Sequence, residues 1–157
     1  MPAVEPTAAQ MQRLLQDIAQ PGPVVMINLL RYRERADYPP GFAETPCSGR
    51  EAYQRYGAVA MVKVAEAGGK ILWMGAVKPS VIAPEGEEWD DAVLVQYPSR
   101  AAFAAMVARP DYLAAAPHRT AALADSRLLL TEGHGNLQGG GATAIARGAV
   151  HQAFDGP

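Results

Sequence analysis

The sequence predicts an α+β fold, with an antiparallel four-stranded sheet, two core helices in the order βαββαβ, and one extra helix in front. Three observations predict it. Short runs rich in β-branched and other apolar residues, Val24 to Leu30 first among them, alternate with longer stretches of helical period. Two of those runs, Lys70 to Val77 and Ala92 to Tyr97, follow one another with only the turn-like, acidic stretch Pro79 to Glu88 between them. The helical stretches open on Thr7, Ser48 and Ser99 and close on proline or glycine. Strand, helix, strand, strand, helix, strand is the order of the ferredoxin-like split βαβ unit.

Thr7 to Gln20 reads as a helix because Thr7 and Gln10 form a capping box and Met11, Leu14, Leu15 and Ile18 make one apolar stripe. Pro21-Gly22-Pro23 stops it, and Val24 to Leu30 is the first strand. Arg31 to Ser48 is a long polar connection containing Asp37-Tyr38-Pro39-Pro40-Gly41 and Pro46; it is either a lid or binding segment, or a surface excursion that closes over the sheet edge. Ser48 and Glu51 form a second capping box for a helix through Ala67, with Glu51 and Arg55 spaced to pair. Its apolar face, from Tyr53 and Tyr56 through Val64, is broad enough for contacts on two sides.

Gly68-Gly69 ends that helix, Lys70 to Val77 is the second strand and Ala92 to Tyr97 the third. Ser99 caps a helix over Arg100 to Ala108 that buries Phe103, Met106 and Val107, and Pro110 and Pro117 break up the helical pattern beyond it. Arg127 to Thr131 is the fourth strand, and beyond Gly133 a Gly-rich stretch is expected to be loosely held. The expected division is an N-terminal helix extension over 1–22, one domain over 23–133 and a tail over 134–157.

By strand alternation, Val25, Ile27, Leu29, Val93 and Val95 are expected toward the helices. Asn28 joins Met26 and Leu30, and Gln96 joins Leu94 and Ala92, on the other face. With helices on one side only, that second face needs cover, which predicts a homodimer packed sheet to sheet with its ligand space in the gap.

Totals bound the function. A chain of 157 residues with 49% hydrophobic and 19% charged residues fits one core. A formal charge of -2 and a pI near 5.9 speak against nucleic acid as a partner. No apolar run approaches the roughly 18 residues of a membrane span, and the start lacks a signal-peptide pattern. The single cysteine, Cys47, fits a reducing compartment, so a cytoplasmic location is expected.

The candidate site residues are chosen by their chemistry. His118 beside Arg119, just after Pro117, offers a group that moves protons near neutral pH next to one that clamps carboxylates; alternatively Arg119 pairs with Asp111 or Asp125. Asn28 is a candidate oxyanion or carbonyl partner, or else a hydrogen bond across the sheet or the dimer. Trp73 is a candidate pocket wall, Arg31 an attractor of anions, and Gln96 and Tyr56 further ligand contacts, each with plain packing or a solvated rim as the alternative. Cys47 has no base adjacent in sequence. His118, His134 and His151 lack ligand spacing, and neither a dinucleotide fingerprint nor a phosphate loop occurs, so neither a metal nor a nucleotide cofactor is expected.

Tyr53 and Tyr56, Gly68-Gly69-Lys70 before a strand, Tyr97-Pro98-Ser99-Arg100 with Ala101-Ala102-Phe103, then Pro110-Asp111-Tyr112 and Arg119, resemble the domain-of-unknown-function family numbered thirteen-thirty, over Val24 to Gly133. The resemblance implies a ferredoxin-like protomer in a dimeric α+β barrel and no established reaction. The N-terminal helix, the Arg31 to Ser48 connection and the Gly-rich tail depart from the family's usual shorter form. The expected function is a homodimer that binds a small organic molecule between its sheets. If it is an enzyme, the wider superfamily implies cofactor-independent oxygenation, isomerisation or decarboxylation, with His118 as acid or base, Arg119 as clamp and Asn28 as oxyanion partner. The alternative is a non-catalytic binding or assembly module whose polar residues serve the interface.

Overall fold

Thr7, Ser48 and Ser99 each start a helix in the computed structural model, which describes residues 1–134. The tail expected over 134–157 lies, apart from His134, outside the described residues. At Thr7 the capping box closes in both directions: its Oγ1 accepts from Gln10 N at 3.1 Å, and Gln10 Oε1 accepts from Thr7 N at 2.8 Å. Helix α1 spans Ala8–Gln16, shorter than expected and with no buried residue, because of its stripe only Leu14 reaches the core cluster. At Ser48 the hydroxyl accepts from Glu51 N but donates to the Glu51 carboxylate, both at 3.1 Å, so the second box closes on one side only. The expected partner of Arg55 is likewise replaced, since Arg55 pairs with Glu44 of the preceding loop at 3.3 Å.

Strand β1 (Val24–Tyr32), helix α2 (Gly49–Glu66), strands β2 (Lys70–Ala76) and β3 (Asp91–Tyr97), helices α3 (Arg100–Val107) and α4 (Pro110–Ala122) and strand β4 (Leu123–Glu132) complete the described chain. The sheet order is β2-β3-β1-β4 with every neighbour antiparallel, which is the ferredoxin-like arrangement. Gly68 closes α2 at φ 78°, a conformation that favours glycine. Pro110 sits at the first turn of α4, where a missing amide costs nothing. Pro117 does not break α4 as expected. It removes one hydrogen bond from the helix, but Ala115, Ala121 and Ala122 are buried on either side of it and hold the helix in place.

The register corrects the expected facing of β1. Asn28 lies opposite Val93, and Met26 opposite Val95, so the even-numbered residues of β1 share the face of the buried valines of β3. Val24, Met26 and Leu30 are buried there with Val93, Val95 and Tyr97, against Ala52 and Val64 of α2, Phe103 and Met106 of α3 and Ala122 of α4. Alternation alone fixes which residues share a face, and pairing across strands is needed to say which face it is.

The loop over residues 33–48 is bound to the domain by its backbone. Arg33 N and Asp37 N donate to the carbonyls of Ala122 and Ala121 at 2.8 and 2.9 Å, and Gly49 N donates back to Arg33 O at 3.1 Å. At Gly49 a Cβ would meet Arg33 O, Ala122 O and Arg33 N, all closer than 3 Å. No side chain fits without moving backbone.

Between α2, α4 and the sheet runs a chain of aromatic contacts: Tyr32 to Tyr53 at 5.5 Å, Tyr53 to Tyr56 at 5.3 Å and Tyr56 to Tyr112 at 5.9 Å between ring centroids. Burial pushes the Tyr53 phenol from its ordinary 10.0 up to about 12, with the nearby Arg119 charge opposing the rise.

Two outcomes are expected. Gly49→Ala destabilises the fold by about 2 kcal/mol, read as a fall in the urea midpoint, because overpacking against backbone has no soft neighbour to absorb it. Because the folded state holds the Tyr53 proton that the unfolded chain releases, the Tyr53 contribution is complete below pH 10 and is lost as pH rises toward 12. Urea midpoints measured across that window should fall less steeply for Tyr53→Phe than for the parent chain.

Candidate functional site

The structure separates the three residues expected to act together. Successive residues on a helix point about 100° apart, and His118 and Arg119 diverge accordingly. His118 turns toward the 33–48 loop, where its Nδ1 lies 2.7 Å from the Tyr38 hydroxyl and its Nε2 lies 3.8 Å from Glu44 Oε1. Tyr38 stacks on Phe42 with their planes 3° apart, and the imidazole stands edge-on to both rings. Arg55 donates to the Tyr38 hydroxyl at 3.3 Å and to the Thr45 carbonyl at 3.2 Å. Burial raises the Tyr38 pKa while Arg55 opposes the rise.

This arrangement can pass a proton between a phenol and an imidazole, and it also fastens the loop to α2 and α4. Tyr38 further lines an open groove of about 520 Å³ with Pro39, Pro40, Leu113, Ala116 and Pro117. Neither His118 nor Arg55 lines that groove.

Arg119 turns instead to the N-terminal segment and donates to the Val4 carbonyl at 2.6 Å. It pairs with neither Asp111, which forms an ion pair with Lys63, nor Asp125, which pairs with Arg127 at 2.7 Å. Asn28 lies on the helix-covered face and donates to Val93 O at 3.2 Å, within the sheet. Tyr56 bonds Tyr112 hydroxyl to hydroxyl at 2.6 Å between α2 and α4, away from the open sheet face.

The remaining candidates share that open face. Cα pairing lines up Trp73, Leu94, Ile27 and Leu129 in one row across all four strands. On one side of it run Gln96, with Lys70, Val25 and Thr131; on the other run Gly75, Ala92, Leu29 and Arg127, and beyond these Arg31 stands opposite Asp125. None of the apolar residues of these rows belongs to the core cluster. Trp73 is 63% exposed and Leu129 48% exposed. The indole lies along its own strand over Gly75, where a Cβ would come within 2.8 Å of Trp73 Nε1.

Tyr38 and Glu44 beside His118, with Arg55 bonded to Tyr38, and Val4 beside Arg119 are contacts that sequence reasoning missed. A tyrosine ahead of two prolines in a loop offers no signal of an imidazole 80 positions away. Among the described residues there is no group of three or more His, Cys, Asp or Glu placed to hold a metal ion. No described helix is long and apolar enough to cross a membrane.

Residues 42–134 match the family described as Domain of unknown function (DUF1330). None of the curated proteins matches the chain. Solved structures similar to the chain include the methylated RPA0582 protein, 36% identical at a TM-score of 0.78 over 85% of this chain and 96% of that one, and the RPA0582 protein of unknown function from Rhodopseudomonas palustris, 35% identical at the same TM-score over 85% and 98%. The matched region takes in α2 through β4, and with it three of the four strands and both helices that carry His118 and Tyr56, so the chain belongs to the DUF1330 family.

Proposed function

We propose that the chain works as a homodimer whose two sheets pack through their open faces, and that the dimer binds a small organic molecule at the polar margins of that contact. The observation that carries the reading is the row Trp73, Leu94, Ile27 and Leu129, which spans the sheet with no helix over it. An apolar face of this extent is unfavourable in water, and a second copy offers a self-complementary surface of the same shape. Two sheets packed in this way leave about 10 Å between them, filled by the facing side chains.

Polar groups stand at both ends of the contact, Gln96, Lys70 and Thr131 at one and Arg31 at the other. They suit a ligand with an apolar body, flanked by Trp73, and an oxygen or anionic group at its end. Binding is favoured over catalysis in this reading because His118, Arg119 and Asn28 hold separate partners and do not surround a common space. The assembly alternative differs only in leaving the margins empty. A cytoplasmic location accords with the buried thiol of Cys47.

Native mass spectrometry of the gently purified protein is expected to give a dimer that retains a small organic molecule. Leu94→Glu places a charge in the middle of the row and should weaken dimerisation by at least about a hundredfold in sedimentation equilibrium, whereas Val62→Glu on the exposed side of α2 should leave it unchanged. A monomeric parent chain would sink the dimer. A dimer that stays empty and shows no Trp73-dependent fluorescence change with benzoate or benzyl alcohol would leave assembly alone standing.

A further inference from the structure

The segment Ala3–Val4–Glu5 lies in a slot between α4 and β4 whose side chains bond mainly to its backbone. Asp125 Oδ1 accepts from Ala3 N at 2.8 Å, Ser126 Oγ donates to Ala3 O at 2.6 Å, and Arg119 Nη1 donates to Val4 O at 2.6 Å. Thr120 Oγ1 adds a bond to the Glu5 carboxylate at 3.0 Å. The Val4 side chain packs against the core cluster. Ser126 is only 4% exposed, the buried polar residue of the described core, and its hydroxyl is satisfied by this segment.

The slot thus presents an acceptor, then two donors, beside an apolar recess. That is the complement of an extended peptide: one N–H, two successive carbonyls and a small apolar side chain. The segment that fills it belongs to no helix or strand, and it is joined to α1 through Pro6 and Thr7. Its hold on the domain rests on those bonds and on one valine.

We infer that this slot is a recognition site for a short, extended peptide with one small apolar side chain, which residues 3–5 occupy as a displaceable resident. Arg119 and Ser126 read carbonyl oxygens, Asp125 reads an amide, and the recess beneath Val4 admits a side chain of about that size. The site lies at the outer edge of β4, with Ser126 on the helix side and Asp125 on the side of Arg31, and none of Trp73, Leu94, Ile27 and Leu129 takes part in it.

The test uses the full chain with Ala3→Pro and Val4→Gly, which remove the bonded amide and the anchoring side chain. A fluorescein-labelled peptide of residues 1–7 is titrated against it by anisotropy. The folded variant is expected to bind the peptide, the parent chain to bind it at least about tenfold more weakly because the tethered segment competes, and added Arg119→Gln to cost the variant about tenfold. A folded variant that ignores the peptide, or binds it equally well with Asp in place of the valine, overturns the inference. Should the variant fail to fold, native-state hydrogen exchange on the parent chain decides. Exchange of the Ala3 amide through a local opening, well ahead of global unfolding, supports a displaceable resident, and exchange only with global unfolding overturns it.

Discussion

The helix layer depends on a close approach of backbone to backbone at Gly49. There the first turn of α2 meets the carbonyls of Arg33, just past β1, and of Ala122, at the end of α4. Four parts of the chain meet within one residue's width: the end of β1, the returning loop, the start of α2 and the passage from α4 into β4. Hydrogen bonds set the spacing, and glycine is what allows it. Once α2 and α4 are fixed at that corner, the Lys63–Asp111 ion pair and the Tyr56–Tyr112 bond hold the rest of their lengths together. The aromatic contacts beneath them are then set by geometry already determined.

Much of this was legible in the residues. Caps, glycine stops and β-branched runs are local signals, and they marked every strand and the starts of three helices. The facing of β1 was not legible, because Val24 to Leu30 is apolar at nearly every position and alternation carries no contrast there. Only the pairing of Asn28 with Val93 decides it. Pro117 misled for a related reason. Its local cost is real, but buried alanines on both sides supply the support that a local rule omits.

The sites were less legible than the fold. His118 and Arg119 adjoin in sequence, and adjacency on a helix means divergence in space. What each side chain meets comes from far along the chain: Tyr38 for one, Val4 for the other, at separations of 80 and 115 residues. Polar partners at such distances leave no periodic trace. The open sheet face was anticipated with Leu94, Ala92 and Gln96 on it, whereas Ile27 and Leu129 joined it only with the register.

The register shift between Ile71 and Trp73 bears on what β2 can join. As an outermost strand, β2 carries backbone groups that another chain's strand could pair with, and Leu72, Trp73 and Met74 are all exposed along it. An irregularity in the middle of such a strand interrupts the even spacing that a continuous ladder requires. Copies of this chain are therefore discouraged from joining edge to edge through β2 into open-ended fibrils.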